Sequence, residues 1–523
     1  MEISIYRWLP NNSRDLACKV STKLSKYIIY GNINQMILKS NIIKKLKEKM
    51  KKATSYTLWQ DCAKKLDYLE GNDIWQSQDE SDLYHYKLVQ VQLNQMREYQ
   101  KSNDLEKLAD LLHESLHRHL GEVSNPLLYQ VAHTGTKLLI HEYLNEVVKT
   151  MNYLCEHDIP GISLTEKLEL FEKANHNFGC SALMLSGGGS FGIYHVGVVK
   201  ALWEQNLLPR VISGSSMGAI VAGGICTRTD EELKDFFSYP EKIYRKAINF
   251  LSPWEMLQNK VMMDADQLLK HISINVGNFT FKEAFERTGR ILNITVSPTR
   301  SRQKPRVLNY MTSPDLLITN SALASCAIPG LFPPVSLKSK DKSGQHVPYA
   351  PTEKWIDGSV HSDLPVKRIS RLHNVNHYIV SQANPHILPF ITHQRFNGVI
   401  PSVLHYGMSM VHAQIVGTMD MARKVWWEAT PWRPLLDKAY AIVNQSYLGD
   451  INIQLAFDPF LYPKVMSNPD LEGLKHYILE GERATWPQIS IISDQTKISM
   501  NFERCIKRLK DRIQENKLNE SIE

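Results

Sequence analysis

The chain of 523 residues is poor in cysteine, in long apolar runs and in any large excess of one charge, and each shortage removes a class of protein. Its seven cysteines (Cys18, Cys62, Cys155, Cys180, Cys226, Cys326 and Cys505) are odd in number and scattered, with no C-x-x-C spacing. That pattern argues against a disulfide framework or a zinc ribbon and for a reducing compartment. No run of about 18 apolar residues occurs, so no membrane-spanning helix is predicted. The amino end, MEISIYRWLPNNSRDL, lacks the apolar run and small-residue cleavage site of a secretory signal, so a soluble or peripherally bound protein is expected. With 61 Lys plus Arg against 54 Asp plus Glu, the formal charge is only +7. This balance is compatible with an anionic membrane surface. Nucleic acid is not indicated, because no basic stripe is interleaved with aromatics and no helix-turn-helix or RNA-platform pattern appears. His113 and His117 stand one helical turn apart with His119 beside them, yet no H-E-x-x-H and no nearby acid completes a metal-ligand set. A polar helix face is expected there, and no metal.

What is present reads as a folded chain of two or three domains, since 43% apolar and 22% charged residues lie close to the globular average. Residues 1–53 form a basic segment ending in NIIKKLKEKMKK, where Ile42, Ile43, Leu46 and Met50 recur at helical spacing among lysines. Such a helix suits either an anionic membrane surface or a solvated face on the next domain. Residues 54–160 are sparse in glycine and proline and show heptad-like apolar spacing, which predicts a helical domain. Between 180 and 385 the texture changes to short β-branched or aliphatic runs (SALMLS, RVIS, ILNITVS, PRVLNYM, KWID, HYIVSQ) separated by glycine turns and helical stretches. Alternating strands and helices predict an α/β domain with a mainly parallel sheet. The region 386–523 reads as helical again, with Met408, Val411, Ile415 and Met419 along one face and a frayed polar helix or tail in KRLKDRIQENKLNESIE.

Three glycine-flanked clusters carry the chemistry. Gly214-Ser215-Ser216-Met217-Gly218 follows the strand Val211-Ile212 and opens a helix rich in small residues, the context of a nucleophile elbow. A serine on so sharp a turn needs glycine on both sides to avoid clashes, and the helix start favours a developing oxyanion. Gly187-Gly188-Gly189-Ser190-Phe191-Gly192 follows the strand SALMLS, and its backbone N–H groups suit a phosphate or an acyl oxyanion. A P-loop would need Gly-Lys-Ser/Thr, and a dinucleotide site an acid at the end of the next strand; neither is present. An oxyanion hole beside an elbow accounts for both glycine clusters. Asp357-Gly358 ends the short strand Lys354-Trp355-Ile356, so all three clusters fall at predicted strand ends, where an α/β active site belongs.

In this order, G-G-G-x-x-G, G-x-S-x-G and D-G resemble the patatin-like phospholipase family, and Ser321-Ala-Leu-Ala-Ser-Cys-Ala-Ile-Pro-Gly-Leu-Phe-Pro-Pro334 is similar to its helix-and-proline segment. The stretches WQDCAKKLDYLEGNDIWQ, NPLLYQVAHTGTKLLIHEYL, VSQANPHILPF and GERATWPQIS resemble the eukaryotic triacylglycerol lipase branch, so that the likeness spans roughly residues 54 to 490. The resemblance implies a three-layer α/β/α fold and a glycerolipid substrate. It also implies a peripheral place on the cytoplasmic side, at a lipid droplet or endoplasmic reticulum membrane. It implies Ser216 as nucleophile, Asp357 as base and Gly187, Gly188, Gly189 and Met217 as the oxyanion hole, with Gly192, Gly214, Gly218 and Gly358 as motif glycines and no cofactor. Two departures stand out: Ser359 follows D-G where glycine or alanine is usual, and Ser190-Phe191 replace a basic residue within the glycine run. No histidine has aspartate five residues later, which lowers the expectation of an acyltransferase activity.

Alternatives remain at this level. A Ser-His-Asp triad would draw on His386, His405 or His412, although a glycine cluster so soon before the elbow favours the Ser-Asp dyad. A phospholipase A or lysophospholipid acyltransferase would use the same dyad. A non-catalytic scaffold on a lipid droplet or membrane would use the helical regions, but it has no need of a serine in a strained turn.

Overall fold

The computed structural model describes residues 37–116, 120–300, 303–358, 363–385, 387, 448–456 and 458–520. The expected face of Met408, Val411, Ile415 and Met419, the histidines His386, His405 and His412, Ser359, and His117 and His119 lie outside the described residues.

The amino-terminal part is helical, as its apolar spacing predicts. Helices α1 (Tyr56–Glu70), α2 (Tyr86–Lys101), α3 (Leu105–Ser115), α4 (Leu138–Glu156) and α5 (Leu164–Phe178) follow one another. Their ends are set by local chemistry. Ser55 accepts the Leu58 N–H at the start of α1, and Gly71 closes that helix in the left-handed conformation. Ser163 and Glu166 form a reciprocal capping box on α5. Val89, Leu93 and Met96 of α2 and Ile140, Tyr143, Leu144, Val147 and Met151 of α4 share one buried cluster, each set recurring at helical spacing.

The main sheet begins immediately afterwards. Strands β1 (Cys180–Leu185), β2 (Val211–Gly214), β3 (Ile291–Pro298), β4 (Arg306–Leu308), β7 (Trp355–Asp357), β8 (Val375–Gln382) and β9 (Ile451–Gln454) form it, while β5 (Lys338–Lys340) and β6 (His346–Pro348) make a separate hairpin. The order is β4-β3-β2-β1-β8-β9, with β7 also paired to β3. All pairs from β3 to β9 are parallel, and β4 and β7 run antiparallel to β3. One face, with Ala182, Met184, Val211, Ile369 and Val380, holds a smaller core. The other face, with Leu183, Leu185, Ile212 and Ile294, packs on helices α6 (Tyr194–Glu204), α7 (Met217–Cys226) and α8 (Ile318–Cys326). The result is a three-layer α/β/α arrangement with a mainly parallel sheet.

Among its described residues the carboxyl-terminal region is helical, as expected, and adds one strand. It supplies β9, which pairs with β8 from Ile379↔Ile451 to Gln382↔Gln454. Four residues are too few for a periodic signal, so pairing with an existing edge decides their conformation. Helix α9 (Leu471–Thr485) then packs on α6, and helix α10 runs unbroken from Ile489 to Glu520. Of the polar helix or tail expected from the sequence, the structure shows the helix, to Glu520. Ile498, Phe502, Cys505 and Leu509 recur at spacings of four, three and four and are buried in the amino-terminal helical cluster. Among the described residues no helix is long and apolar enough to cross a membrane.

The α6–α9 crossing is tight because glycine meets backbone on both sides. A Cβ at Gly197 would overlap the Ile478 carbonyl, and one at Gly481 would overlap the Tyr194 carbonyl. Beside them Lys200 Nζ lies 2.8 Å from Glu482 Oε1. Gly197→Ala or Gly481→Ala is expected to force the helices apart and to cost on the order of 3 kcal/mol, measured by urea unfolding. A loss no larger than that of an exposed helix substitution would contradict this account.

Candidate active site

The sheet's carboxyl edge collects the residues singled out by the sequence. β2 ends at Gly214, level with Leu185 of β1 and Ile294 of β3. Ser215 N–H still reaches the Leu185 carbonyl at 3.1 Å, and then the chain turns sharply. Ser216 sits at φ 51°, ψ −124°, a conformation rarely open to a residue with a side chain. Such a backbone costs about 1–3 kcal/mol and persists only when its surroundings over-determine it. Two features do so. A Cβ at Gly214 would overlap the Gly218 carbonyl, and one at Gly218 would overlap the Leu185 carbonyl, so the turn is closed as tightly as glycine permits. In addition, the Ser216 N–H donates to Ser325 Oγ at 3.0 Å, within the buried helix α8. Helix α7 starts at Met217, so the Met217 amide is one of the helix-terminal N–H groups without an intrahelical acceptor.

Asp357 arrives along the edge of β3 that β2 leaves at Gly214: β4 holds the opposite edge at Ile294 and Val296, so Gly214 opposite Ile294 and Asp357 opposite Val296 share one edge, two residues apart. The carboxylate is fully buried, and the Asp357 N–H donates to the Ala327 carbonyl at 3.0 Å. Cys326 links the two groups. Its thiol hydrogen-bonds with Ser216, and its pKa is held far above the ordinary thiol value, first by burial and then by the Asp357 charge; the Ser216 bond acts the other way. Gly358 lies so close to β3 that a Cβ there would overlap the Thr295 carbonyl, which accounts for glycine after the aspartate.

The glycine run crosses above the end of β1. Gly189–Ile193 forms a short 3-10 turn leading into α6. A Cβ at Gly187 would lie 3.5 Å from Ser216 Cβ, which puts the start of the run against the elbow. Of the four residues expected to supply the oxyanion hole, Gly187 is otherwise engaged: its N–H donates to Asp363 Oδ1 at 3.1 Å. Gly188, Gly189 and Met217 are the other members of that expected set.

Several residues that sequence reasoning did not single out surround these clusters. Ser186 Oγ donates to the Gly187 carbonyl at 2.8 Å and accepts the Ala383 N–H at 2.9 Å. His195 is fully buried below, with Nε2 3.0 Å from the Ser186 carbonyl and Nδ1 2.7 Å from Ser381 Oγ. Burial pushes its pKa down to about 4, so the ring is neutral near pH 7. Since a carbonyl only accepts, Nε2 carries the proton and Nδ1 accepts from Ser381. Both nitrogens are committed to holding the loop. Asp363 is a second fully buried carboxylate, bonded to Gly187 N–H, to Asn384 Nδ2 at 2.6 Å and to the Ser215 hydroxyl. A hydroxyl bond of 2.6 Å joins Ser215 Oγ to Thr295 Oγ1 on β3. No local motif announces Asp363, because its partners are 21 to 176 residues away in the chain.

Burial pushes the Asp363 carboxyl up to about 6 from its ordinary 3.8, while its hydrogen bonds act the other way. A raised carboxyl pKa means that the native state holds the proton longer than the unfolded chain, so this group lowers stability as pH rises from about 3.8 to about 6. Asp363→Asn removes that cost. Its stability relative to wild type is expected to improve between pH 4 and pH 7 in paired urea titrations; a difference flat or falling across that window would contradict the assignment.

Residues 183–368 match the family model described as patatin-like phospholipase, and residues 36–176 match one described as a domain of unknown function, DUF3336. The chain is 34% identical over 483 residues to triacylglycerol lipase ptl3 of Schizosaccharomyces pombe, covering 89% of this chain and 98% of that protein. It is 32% identical over 526 residues to triacylglycerol lipase 5 of Saccharomyces cerevisiae, covering 94% and 68% respectively. It is also 32% identical over 473 residues to triacylglycerol lipase SDP1L of Arabidopsis thaliana, covering 87% of this chain and 58% of that one. Among solved structures, VipD from Legionella pneumophila aligns over 60% of this chain and 67% of that one at a TM-score of 0.30 and 13% identity, too distant to bear on the site.

Proposed function

We infer the reaction from one premise: the chain belongs to the patatin-like phospholipase family, among its triacylglycerol lipases. It is a lipid ester hydrolase, and we propose triacylglycerol as its substrate and Ser216 with Asp357 as its machinery. The observation that carries the proposal is the strained Ser216 beside a glycine run, with Cys326 in reach of both its hydroxyl and the buried Asp357.

In this reading the Ser216 hydroxyl attacks the ester carbonyl carbon while its proton passes to Asp357. The amides of Gly188, Gly189 and Met217 receive the charge that develops on the carbonyl oxygen. Asp357 returns the proton to the departing glycerol oxygen as the ester C–O bond breaks, leaving an acyl-serine. Water then attacks the acyl carbon and gives its proton to Asp357, which passes it to Ser216 Oγ as the bond from Oγ to the acyl carbon breaks and the fatty acid leaves. An aspartate with a reference pKa of about 3.9 is a weak base for a hydroxyl, so the dyad relies on an apolar site and a well-formed oxyanion hole. No metal or organic group is needed for these steps.

A lipid-droplet or membrane surface is the proposed place of action, and exposed apolar side chains support it. The loop between Asn249 and Asp264 is closed at its base by Asp264 N–H to Asn249 O at 2.9 Å and by Leu251 N–H to Met262 O at 3.0 Å. Its short helix Pro253–Asn259 presents Trp254 and Leu257 at 76% and 74% exposure, flanked by exposed Phe250 and Met262. The base of the loop is tied to the site, because the N–H groups of Met262 and Met263 both donate to Leu331 O, a few residues beyond Ser325 and Ala327. The basic helix over 37–51 also leaves Ile37, Leu38 and Ile42 exposed, consistent with a face laid on lipid.

Fatty-acid release by wild type, Ser216→Ala and Asp357→Asn, offered triacylglycerol emulsion and phospholipid vesicles side by side, tests the reading. Release from triacylglycerol is expected to fall on the order of 1,000-fold or more in both variants. Equal release by wild type and Ser216→Ala would sink the nucleophile assignment, and release mainly from phospholipid would move the substrate while keeping the serine. Replacing Trp254 and Leu257 together by serine is expected to lower emulsion turnover about tenfold and to leave a dissolved short-chain ester unaffected. Full emulsion activity in that variant would remove this loop from the surface contact.

A further inference from the structure

The active site contains two buried carboxylates, and the dyad uses one of them. We infer that Asp363 is a positioning residue that fixes the head of the glycine run against the elbow, so that the Gly188 and Gly189 amides are set for the oxyanion before substrate arrives. The inference rests on the Ser216 reading above and adds to it a residue that touches neither substrate nor nucleophile.

The geometry is a three-way junction. Asp363 Oδ1 accepts the Gly187 N–H at 3.1 Å, Oδ2 accepts Asn384 Nδ2 at 2.6 Å, and the Ser215 hydroxyl bonds the same carboxylate. These partners belong to three separate segments: the turn after β1, the turn after β8, and the residue immediately before the nucleophile. Ser215 carries the network on to Thr295 Oγ1 at 2.6 Å, on the strand that pairs with Asp357. The carboxylate therefore ties together the two segments that carry the proposed oxyanion donors and the nucleophile, and reaches the strand beside the base.

A carboxylate is suited to this place because it only accepts. Gly187 N–H and Asn384 Nδ2–H can only donate here, and the Ser215 hydroxyl, once it takes the Thr295 proton, has its own proton to give. An amide of the same shape accepts at one oxygen only, so at least one of these donors must turn or reverse its role, and the junction rearranges. All three partners are neutral, and the site keeps a charge that burial penalises, as the raised pKa of Asp363 reflects. A group that lowers stability and packs no better than its amide isostere is explained by what it orients. Gly187 is the direct object: fixing its N–H fixes the peptide plane at the start of the run, while Asn384 Oδ1, 3.0 Å from where a Gly187 Cβ would lie, confines it from the other side.

The test compares wild type, Asp363→Asn, Asp363→Ala and Ser216→Ala as full chains on a dissolved ester, p-nitrophenyl butyrate, with melting temperature measured at the same pH of 7. Asp363→Asn is expected to melt at or above the wild-type temperature, to keep KM within about twofold, and to lose kcat on the order of 10- to 100-fold, the scale of an ångström-level misplacement of reacting groups. Asp363→Ala is expected to lose at least as much kcat. Wild-type kcat in a folded Asp363→Asn would overturn the inference, as would a kcat loss accompanied by an equal rise in KM or by a lowered melting temperature. Turnover by Ser216→Ala equal to wild type would instead overturn the nucleophile reading, so the two failures are distinguishable.

Discussion

The site depends on one backbone constraint, the left-handed turn at Ser216. A strand running up the middle of a parallel sheet must reverse into a helix within two residues, and the serine at the reversal is held where side chains rarely sit. The turn is kept by contacts on all sides. Gly214 and Gly218 leave no volume between strand and helix, the Ser216 N–H is taken by Ser325, and Ser215 is bonded to Thr295 and Asp363. Strain is thus distributed over β1, β2, β3 and α8, which explains why the segment carrying Ser325, Cys326 and Ala327 belongs to the site although it contains neither proposed dyad member.

Around that turn the interior is polar in a way that a core made only for stability would not be. Two carboxylates, Asp357 and Asp363, and a neutral imidazole, His195, are all fully buried around a sheet that also buries Asn293, Thr295 and Ser381 among its aliphatic residues. Each has a distinct task set by its partners. His195 spends both ring nitrogens on Ser186 and Ser381 and so braces the floor of the glycine run. Asp363 spends its oxygens on backbone and side-chain donors of the surrounding turns. Asp357 shares the neighbourhood of Cys326 with Ser216. The environments, more than the residue types, divide these roles.

Much of this was legible in the chain itself. The β-branched runs SALMLS, ILNITVS and HYIVSQ became β1, β3 and β8, and the glycine clusters fell at strand ends where they were expected. Less legible were features created by distant partners. β9 is four residues long and acquires its conformation from β8, and α10 stays helical to Glu520 because its apolar stripe is received by α4 and α5 more than 300 residues earlier. Asp363 was equally hidden, since nothing local distinguishes an aspartate that ties a loop from one on a surface. The engagement of Gly187 by Asp363 followed from the same long-range contact.

The sequence by itself determined the fold class, the order of the clusters and the identity of Ser216 and Asp357 as candidates, because strand and helix periodicity and the steric need for glycine act over a few residues. The tertiary structure decided that the Gly187 amide is taken by Asp363, that Cys326 adjoins both Ser216 and Asp357, that the buried His195 spends both ring nitrogens on Ser186 and Ser381, and where the last helix docks. Those outcomes depend on hydrogen bonds and packing between segments hundreds of residues apart, and such contacts leave no periodic trace in either partner.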